Sequence, residues 1–307
     1  MPERIGFLGI GRMGQPMAAN LVRKGFDVAA VVHRRREPAQ ALEALGVRIA
    51  PSLAALVGEA TVVVACLPGS AEVEAAVLGP GGVLENGQTG GAFIDMGTSR
   101  PASTRMLAAR LRDRGIAMLD APITGGVRGA REATLTIYVG GASGDLNRVR
   151  PVLEAMGERV IHMGGPGAGH VTKLLNNALS LSSMALLAEL LPLGVRAGLD
   201  PQRMIEALGA GTGASMQIPG RGGRILKRQF DAAFQLALAH KDLRLAQELA
   251  QEHNLPTPVA AAAYLSYTLA RGLGLDAEDA VAVVKVFERL AGVEVAGSSP
   301  PPGTPRS

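Results

Sequence analysis

The chain reads as α/β, with an N-terminal doubly wound parallel sheet, a C-terminal all-helical domain and a long helix joining the two. Three observations predict this. Short apolar runs alternate with amphipathic stretches through the first half. A glycine-rich turn separates the first run from the first helical stretch. Strand signals then stop near Gly167, and helical periodicity alone continues to Leu290.

In order along the chain, Arg4–Leu8, Asp27–Val32, Thr61–Ala65, Ala92–Asp95 and Ile116–Leu119 are apolar runs of strand length, and Met13–Lys24 and Arg100–Arg112 carry helical spacing between them. Repeated units of this kind build a parallel sheet covered on both faces. After Asp120 the rhythm changes to a strand, Thr134–Val139, bounded by Gly140-Gly141, then a helix Asp145–Met156 and a strand Val160–His162, a mixed extension of the same sheet. A helix Gly169–Arg196 opens the helical half, which continues through Pro201–Leu208, Leu238–Glu252, Pro258–Ala270 and Ala277–Leu290. Gly209–Gly223, rich in glycine, reads as a loop beside a site. The domains expected are 1–165 for the sheet, 166–292 for the helices and 293–307 as a disordered Gly/Ser/Pro tail.

Composition narrows the function. With 307 residues and 47% apolar content the chain can build two sizeable cores. One cysteine, Cys66, excludes an internal disulfide framework and a multi-cysteine metal site, and fits a cytoplasmic setting. No metal is expected, because His33, His162, His170, His240 and His253 lack ligand spacing and read as structural or loop residues. The N-terminus enters a strand with no leader pattern, and the apolar stretch Leu174–Leu193 carries Asn176, Asn177, Glu189 and Pro192, so a buried helix is expected and no membrane span. A net charge of +4 spread over scattered arginines, with 3% aromatic residues, argues against nucleic acid.

Gly9-Ile10-Gly11-Arg12-Met13-Gly14 matches G-x-G-x-x-G in the context that gives the pattern meaning, after a strand and at the start of a helix. Gly9 makes the tight turn, Gly11 lets backbone amides approach a pyrophosphate, and Gly14 lets the helix pack on the sheet, with Arg12 and Met13 on the same turn. The first domain is therefore expected to be a Rossmann-type dinucleotide-binding domain. Its second strand runs into Val32-His33-Arg34-Arg35-Arg36, with no carboxylate where an NAD-selecting site places one, about 20 residues past the glycines. Arg34, helped by Arg35 and next to His33, suits a 2′-phosphate, so NADP(H) is favoured and NAD(H) remains possible. Arg36 reads as a solvated loop residue.

Two further segments carry polar groups in apolar surroundings. Asp120-Ala121-Pro122-Ile123-Thr124-Gly125-Gly126 follows the last parallel strand, where open α/β sheets bind ligands, and its amides and the Thr124 hydroxyl can hold a carboxylate. As an isolated motif it is also an ordinary turn. On the long helix, Lys173, Asn177 and Ser180 form a polar stripe at i, i+4 and i+7. That stripe faces either a polar cleft or, with Lys173 snorkelling, the surface.

Taken together, the chain resembles the β-hydroxyacid dehydrogenase family, which includes 3-hydroxyisobutyrate dehydrogenase, tartronate semialdehyde reductase and, more distantly, 6-phosphogluconate dehydrogenase. The resemblance covers residues 4 to 290 and rests on four motifs in order: Gly9 to Asn20, Asp120 to Gly126, Gly167 to Asn177, and Lys241 to Ala246. It implies Lys173 as the catalytic lysine, Asn177 as the residue orienting substrate, and Thr124, Gly125 and Gly126 as the substrate-binding turn. It also implies Leu67, Pro68, Glu72, Thr98 and Lys241 against the cofactor. The family usually has Ser at Thr124 and Gly at Ala133, and the extra methyl of Thr124 narrows the pocket. Arg128 fits a second anionic group or an exposed surface equally well.

The implied reaction interconverts a short β-hydroxy acid and its semialdehyde, with Lys173 as the proton donor and acceptor. A small carboxylate substrate and a homodimer or homotetramer are implied. Imine reductases of the same plan generally lack the lysine, and silent dinucleotide-binding modules lose it and gain reader domains. The decarboxylating phosphogluconate enzyme has a larger helical domain than this chain can hold.

Overall fold

The computed structural model describes residues 3–32 and 37–297. Contacts divide the chain into two units, Met1–Leu174 and Leu175–Ser307. The first holds a sheet of β1 (Arg4–Leu8), β2 (Asp27–Ala30), β3 (Arg48–Ile49), β4 (Val62–Ala65), β5 (Ala92–Asp95), β6 (Ala117–Asp120), β7 (Ile123–Thr124), β8 (Leu135–Gly140) and β9 (Gly157–Gly164). Their order is β3-β2-β1-β4-β5-β6-β8-β7, with β9 on β8.

Strands β1 to β6 pair in parallel, and the order reverses between β1 and β4, which is the dinucleotide-binding arrangement of a doubly wound sheet. Side chains alternate along each strand. Ile5, Phe7, Val62, Val64 and Ile94 enter one core, while Leu8, Val63, Ala65 and Phe93 enter the other, so both faces are covered. The extension is mixed as expected: β8 runs antiparallel to β6 and β7, and β9 parallel to β8.

The first unit extends past the boundary expected at residue 165. The start of the long helix, Ala168–Arg196, belongs to it because the Asp120 carboxylate at the end of β6 accepts the Gly167 and His170 amides at 2.7 and 2.8 Å. A glycine at 169 permits this approach, since a Cβ there would lie 2.5 Å from the Tyr138 carbonyl oxygen and 2.6 Å from that of Asp120.

The second unit is helical, with Pro201–Ala210, Leu236–Glu252, Pro258–Gly272 and Val284–Ala291 around a core that includes Tyr267, Leu236, Leu243 and Val281. Three expectations change here. Gly209–Gly223 is not wholly a loop, because buried Ile218 and Ile225 wind it into a π turn, Ile218–Gly222, and a short helix, Gly223–Leu226. The helix expected from Ala277 starts later, because buried Asp279 turns its carboxylate to the amides of Val281, Ala233 and Phe234 and caps a 3-10 turn, Ala280–Val283. The tail expected to be disordered from 293 is held through Gly297: Val295 is fully buried with its amide on Glu288, and the Gly297 amide donates to the Leu226 carbonyl at 2.8 Å. Residues 298–307 lie outside the described residues.

Candidate active site

The C-terminal ends of the parallel strands carry the first group of expected site residues. Gly9 sits at φ +88°, and a Cβ on it would collide with the Cys66 carbonyl, so the turn after β1 needs glycine. Gly14 opens helix Gly14–Arg23, which has no side-chain cap and no acid in its first turn; Pro16 has no N–H and the Gln15 and Met17 amides bond the Gly11 and Met13 carbonyls, so an anion would meet the Gly14 amide and the turn before it. Beside Gly11 nothing lies within 4 Å of a built Cβ, so this backbone stands open to an approaching phosphate. Arg12 is exposed and Met13 half-buried on the same turn. These features fit a pyrophosphate cradle.

Around it, Leu67 is half-buried and Pro68 exposed after β4, Glu72 is exposed in the first turn of helix Ser70–Leu78, and Thr98 is half-buried after β5. His33, Arg34 and Arg35, expected at the 2′ position of the ribose, lie outside the described residues, as does Arg36. Burial first, and then Asp95, push the pKa of the Cys66 thiol up to about 12.

Thr124 ends β7 and is half-buried; exposed Gly125 and Gly126 follow at φ +128° and +64°. The turn is a strand-to-helix junction, since Gly126 begins helix Gly126–Glu132. Arg128 pairs with Glu132 at 2.9 Å on the exposed face of that helix, as a surface arginine does. Ala133 closes the helix at φ +56°, a left-handed conformation that favours glycine.

On the long helix, Lys173 is half-buried and Asn177 buried one turn later. Within the helical unit Asn177 donates through Nδ2 to Asp242 Oδ2 at 2.6 Å and accepts from Asn176 Nδ2 at 3.1 Å. Ser180 accepts from Gln217 Nε2 at 2.8 Å. Lys241 Nζ stands 3.2 Å from Asp242 Oδ1.

Asp242 is the residue that sequence reasoning passed over. It is buried at 2% exposure and orients Asn177 from 65 positions away. Its signal was present in Lys241-Asp242, where an acid follows directly on an expected site lysine. Among the described residues no cluster of His, Cys, Asp and Glu could hold a metal ion.

Comparison with known proteins gives the family. Residues 4–165 match the NAD binding domain of 6-phosphogluconate dehydrogenase, and residues 167–287 the family described as NAD-binding of NADP-dependent 3-hydroxyisobutyrate dehydrogenase. The chain is 38% identical over 295 residues to 2-(hydroxymethyl)glutarate dehydrogenase of Eubacterium barkeri, covering 96% of this chain and 98% of that one. Among solved structures it resembles 3-hydroxyisobutyrate dehydrogenase of Salmonella typhimurium, with a TM-score of 0.85 and 27% identity over 93% of this chain and 100% of the other. It also resembles Psf3 in complex with NADP+ and 2-OPP, with a TM-score of 0.81 and 28% identity over 93% of this chain and 99% of the other. With a reversed parallel sheet, an open glycine cradle at its switch point and matching relatives along nearly its whole length, the chain belongs to the β-hydroxyacid dehydrogenase family of NAD(P)-dependent oxidoreductases.

Proposed function

We propose that the protein reduces a short semialdehyde acid to its β-hydroxy acid and catalyses the reverse oxidation, with NADP(H) favoured over NAD(H). The bound nicotinamide supplies or accepts the hydride. Lys173 gives a proton to the oxygen of the forming alkoxide and stabilises its charge, and takes that proton back in the oxidation. Asn177, one turn along the same helix, hydrogen-bonds that oxygen, and Asp242 keeps its amide oriented. Thr124 and the amides of Gly125 and Gly126 hold the substrate carboxylate. In this reading Lys241 serves the cofactor, as the resemblance implies.

The observation that carries this reading is Lys173, half-buried one turn after a helix start held by Asp120. For NADP(H), the support is the arginine pair Arg34 and Arg35 with no acid beside it. The test is a set of initial rates with NADPH and NADH on tartronate, methylmalonate and succinate semialdehydes and glyoxylate, beside Lys173→Met. Turnover should favour NADPH and fall by about 10²–10⁴ in the variant, the usual share of general acid–base catalysis. Full turnover in Lys173→Met would refute the assignment.

We also propose that a second copy of this chain covers the helical unit. Leu175, Leu179, Leu186, Leu190 and Leu193 recur at helical steps on one side of the long helix and are all exposed. Helix Ala168–Arg196 is apolar and long enough to cross a membrane by composition, and 39% of its most apolar window is buried. Asn177 and Ser180 are tied to protein partners on its other side, so the leucine stripe suits a protein face.

A further inference from the structure

The first turn of the long helix buries an imidazole for which the proposed chemistry has no use. His170 is 0% exposed. Its Nδ1 lies 2.8 Å from Thr104 Oγ1 on helix Pro101–Arg112 and 3.8 Å from Asp120 Oδ2. Its Nε2 lies 3.6 Å from Asp95 Oδ2 and makes no hydrogen bond to the described residues. Asp95 and Asp120 end β5 and β6, and both are fully buried. The Asp95 carboxylate accepts the Gly97 amide at 2.9 Å and the Ser99 hydroxyl at 2.7 Å, while that of Asp120 holds the two helix amides. Burial pushes the Asp120 carboxyl above the usual carboxylate range, against the pull of His170 and of the amides.

Two carboxyls and an imidazole shut away from water are an expensive way to fill space. Each buried charge costs several kcal/mol, on the order of what its partners return, and apolar side chains of similar volume generally stabilise at least as well. What the cluster supplies beyond packing is direction. The ring reaches β5, β6 and helix Pro101–Arg112 together and fixes the turn in which Lys173 lies three residues further on, while Gly169 allows that turn to sit down on the strand ends.

We propose that His170 is a positioning residue for Lys173. Braced by Thr104, Asp95 and Asp120, it holds the first turn of the long helix so that the Lys173 ammonium meets the substrate oxygen in one orientation. The inference rests on Lys173 handling the proton.

The test is kinetic, on the full-length protein with NADPH and the best-used semialdehyde of the four. Lys173→Met is assayed first, and full turnover there, or no turnover of any of the four by the wild type, overturns the reading and this inference together. Given a dead Lys173→Met, His170→Leu should lower kcat by about 10- to 100-fold while the KM for NADPH stays within about 2-fold, the signature of a misplaced group. His170→Gln, whose amide can still meet Thr104 and a carboxylate, should return to within about 3-fold of wild type. Should His170→Leu fail to fold, Thr104→Val removes the Nδ1 partner at constant volume and should show the same kcat-specific loss. Wild-type kcat in a folded His170→Leu, or in Thr104→Val where it replaces it, overturns the positioning role alone. So does an equal loss in His170→Gln, or a loss shared by kcat and NADPH binding.

Discussion

The two units leave very different amounts of apolar surface exposed. Among the described residues of the sheet unit the most exposed large apolar side chains, Leu45 and Ile161, reach 42%, whereas in the helical unit Met216 reaches 91%, Leu290 76%, and Leu179 and Val259 74%. Both units bury ionisable groups, Asp95, Asp120 and His170 in the first and His240, Asp242, Asp279 and Glu288 in the second. The first unit therefore satisfies its apolar surface largely within itself. The second keeps a leucine face exposed, and covering it would contribute about 1.5–3 kcal/mol per fully buried leucine.

The largest effect expected from this contrast is on assembly. Leu179→Glu combined with Leu186→Glu places two carboxylates in the middle of the stripe, and burying an unpaired charge there costs several kcal/mol, roughly three or more powers of ten in a dissociation constant. Sedimentation velocity should show the wild type as a dimer or larger and the double variant as a monomer. Ile161→Glu in the sheet unit should leave the mass unchanged. If the wild type is monomeric, or both variants stay assembled, the leucine face is not where a second copy docks.

Much of this was legible in the sequence, for reasons that differ between the units. The parallel strands are continuous apolar runs because both sheet faces are covered, and Gly9, Gly11 and Gly14 stand where the sheet order reverses. Lys173, Asn177 and Ser180 were legible because a helix makes spacing equal to geometry. The Asn177 to Asp242 bond was not, because it links residues 65 apart and no local pattern encodes which buried acid meets which amide. His170 was read as structural for the same reason, since Asp95, Asp120 and Thr104 come from three separate elements. At Gly209–Gly223 glycine suggested an open loop, but buried Ile218 inside it, and Ile225 just beyond it, decide the outcome by packing.

A smaller effect tests whether the sheet unit carries strain next to the turn proposed to hold the substrate. Ala133 sits at φ +56°, ψ +33°, a conformation that favours glycine. The left-handed conformation costs an ordinary residue about 1–2 kcal/mol, and glycine returns part of that through its freer unfolded chain. Ala133→Gly should therefore raise stability by about 1 kcal/mol in urea titration. An unchanged or lower midpoint would mean that the turn is relaxed as it stands.

The smallest effect concerns acid, where the units should respond with opposite sign. In the sheet unit the buried Asp120 has a raised pKa, so its contribution is fully present below the ordinary 3.8 and is lost as pH rises through the folded value. In the helical unit His240 is buried between Thr268, at 3.2 Å from Nε2, and Arg271, at 3.3 Å from Nδ1. Burial first, and then Arg271, lower its pKa below the ordinary 6.5, with Asp276 opposing. Above that value both folded and unfolded chains hold it neutral. As pH falls past 6.5 the unfolded chain takes the proton first, so stability drops until pH passes the lower folded value. His240→Gln keeps a partner for Thr268 and cannot take the proton. Its thermal midpoint, followed by circular dichroism from pH 7.5 to 5, should fall less than that of the wild type, and parallel curves would show that His240 protonates as readily folded as unfolded.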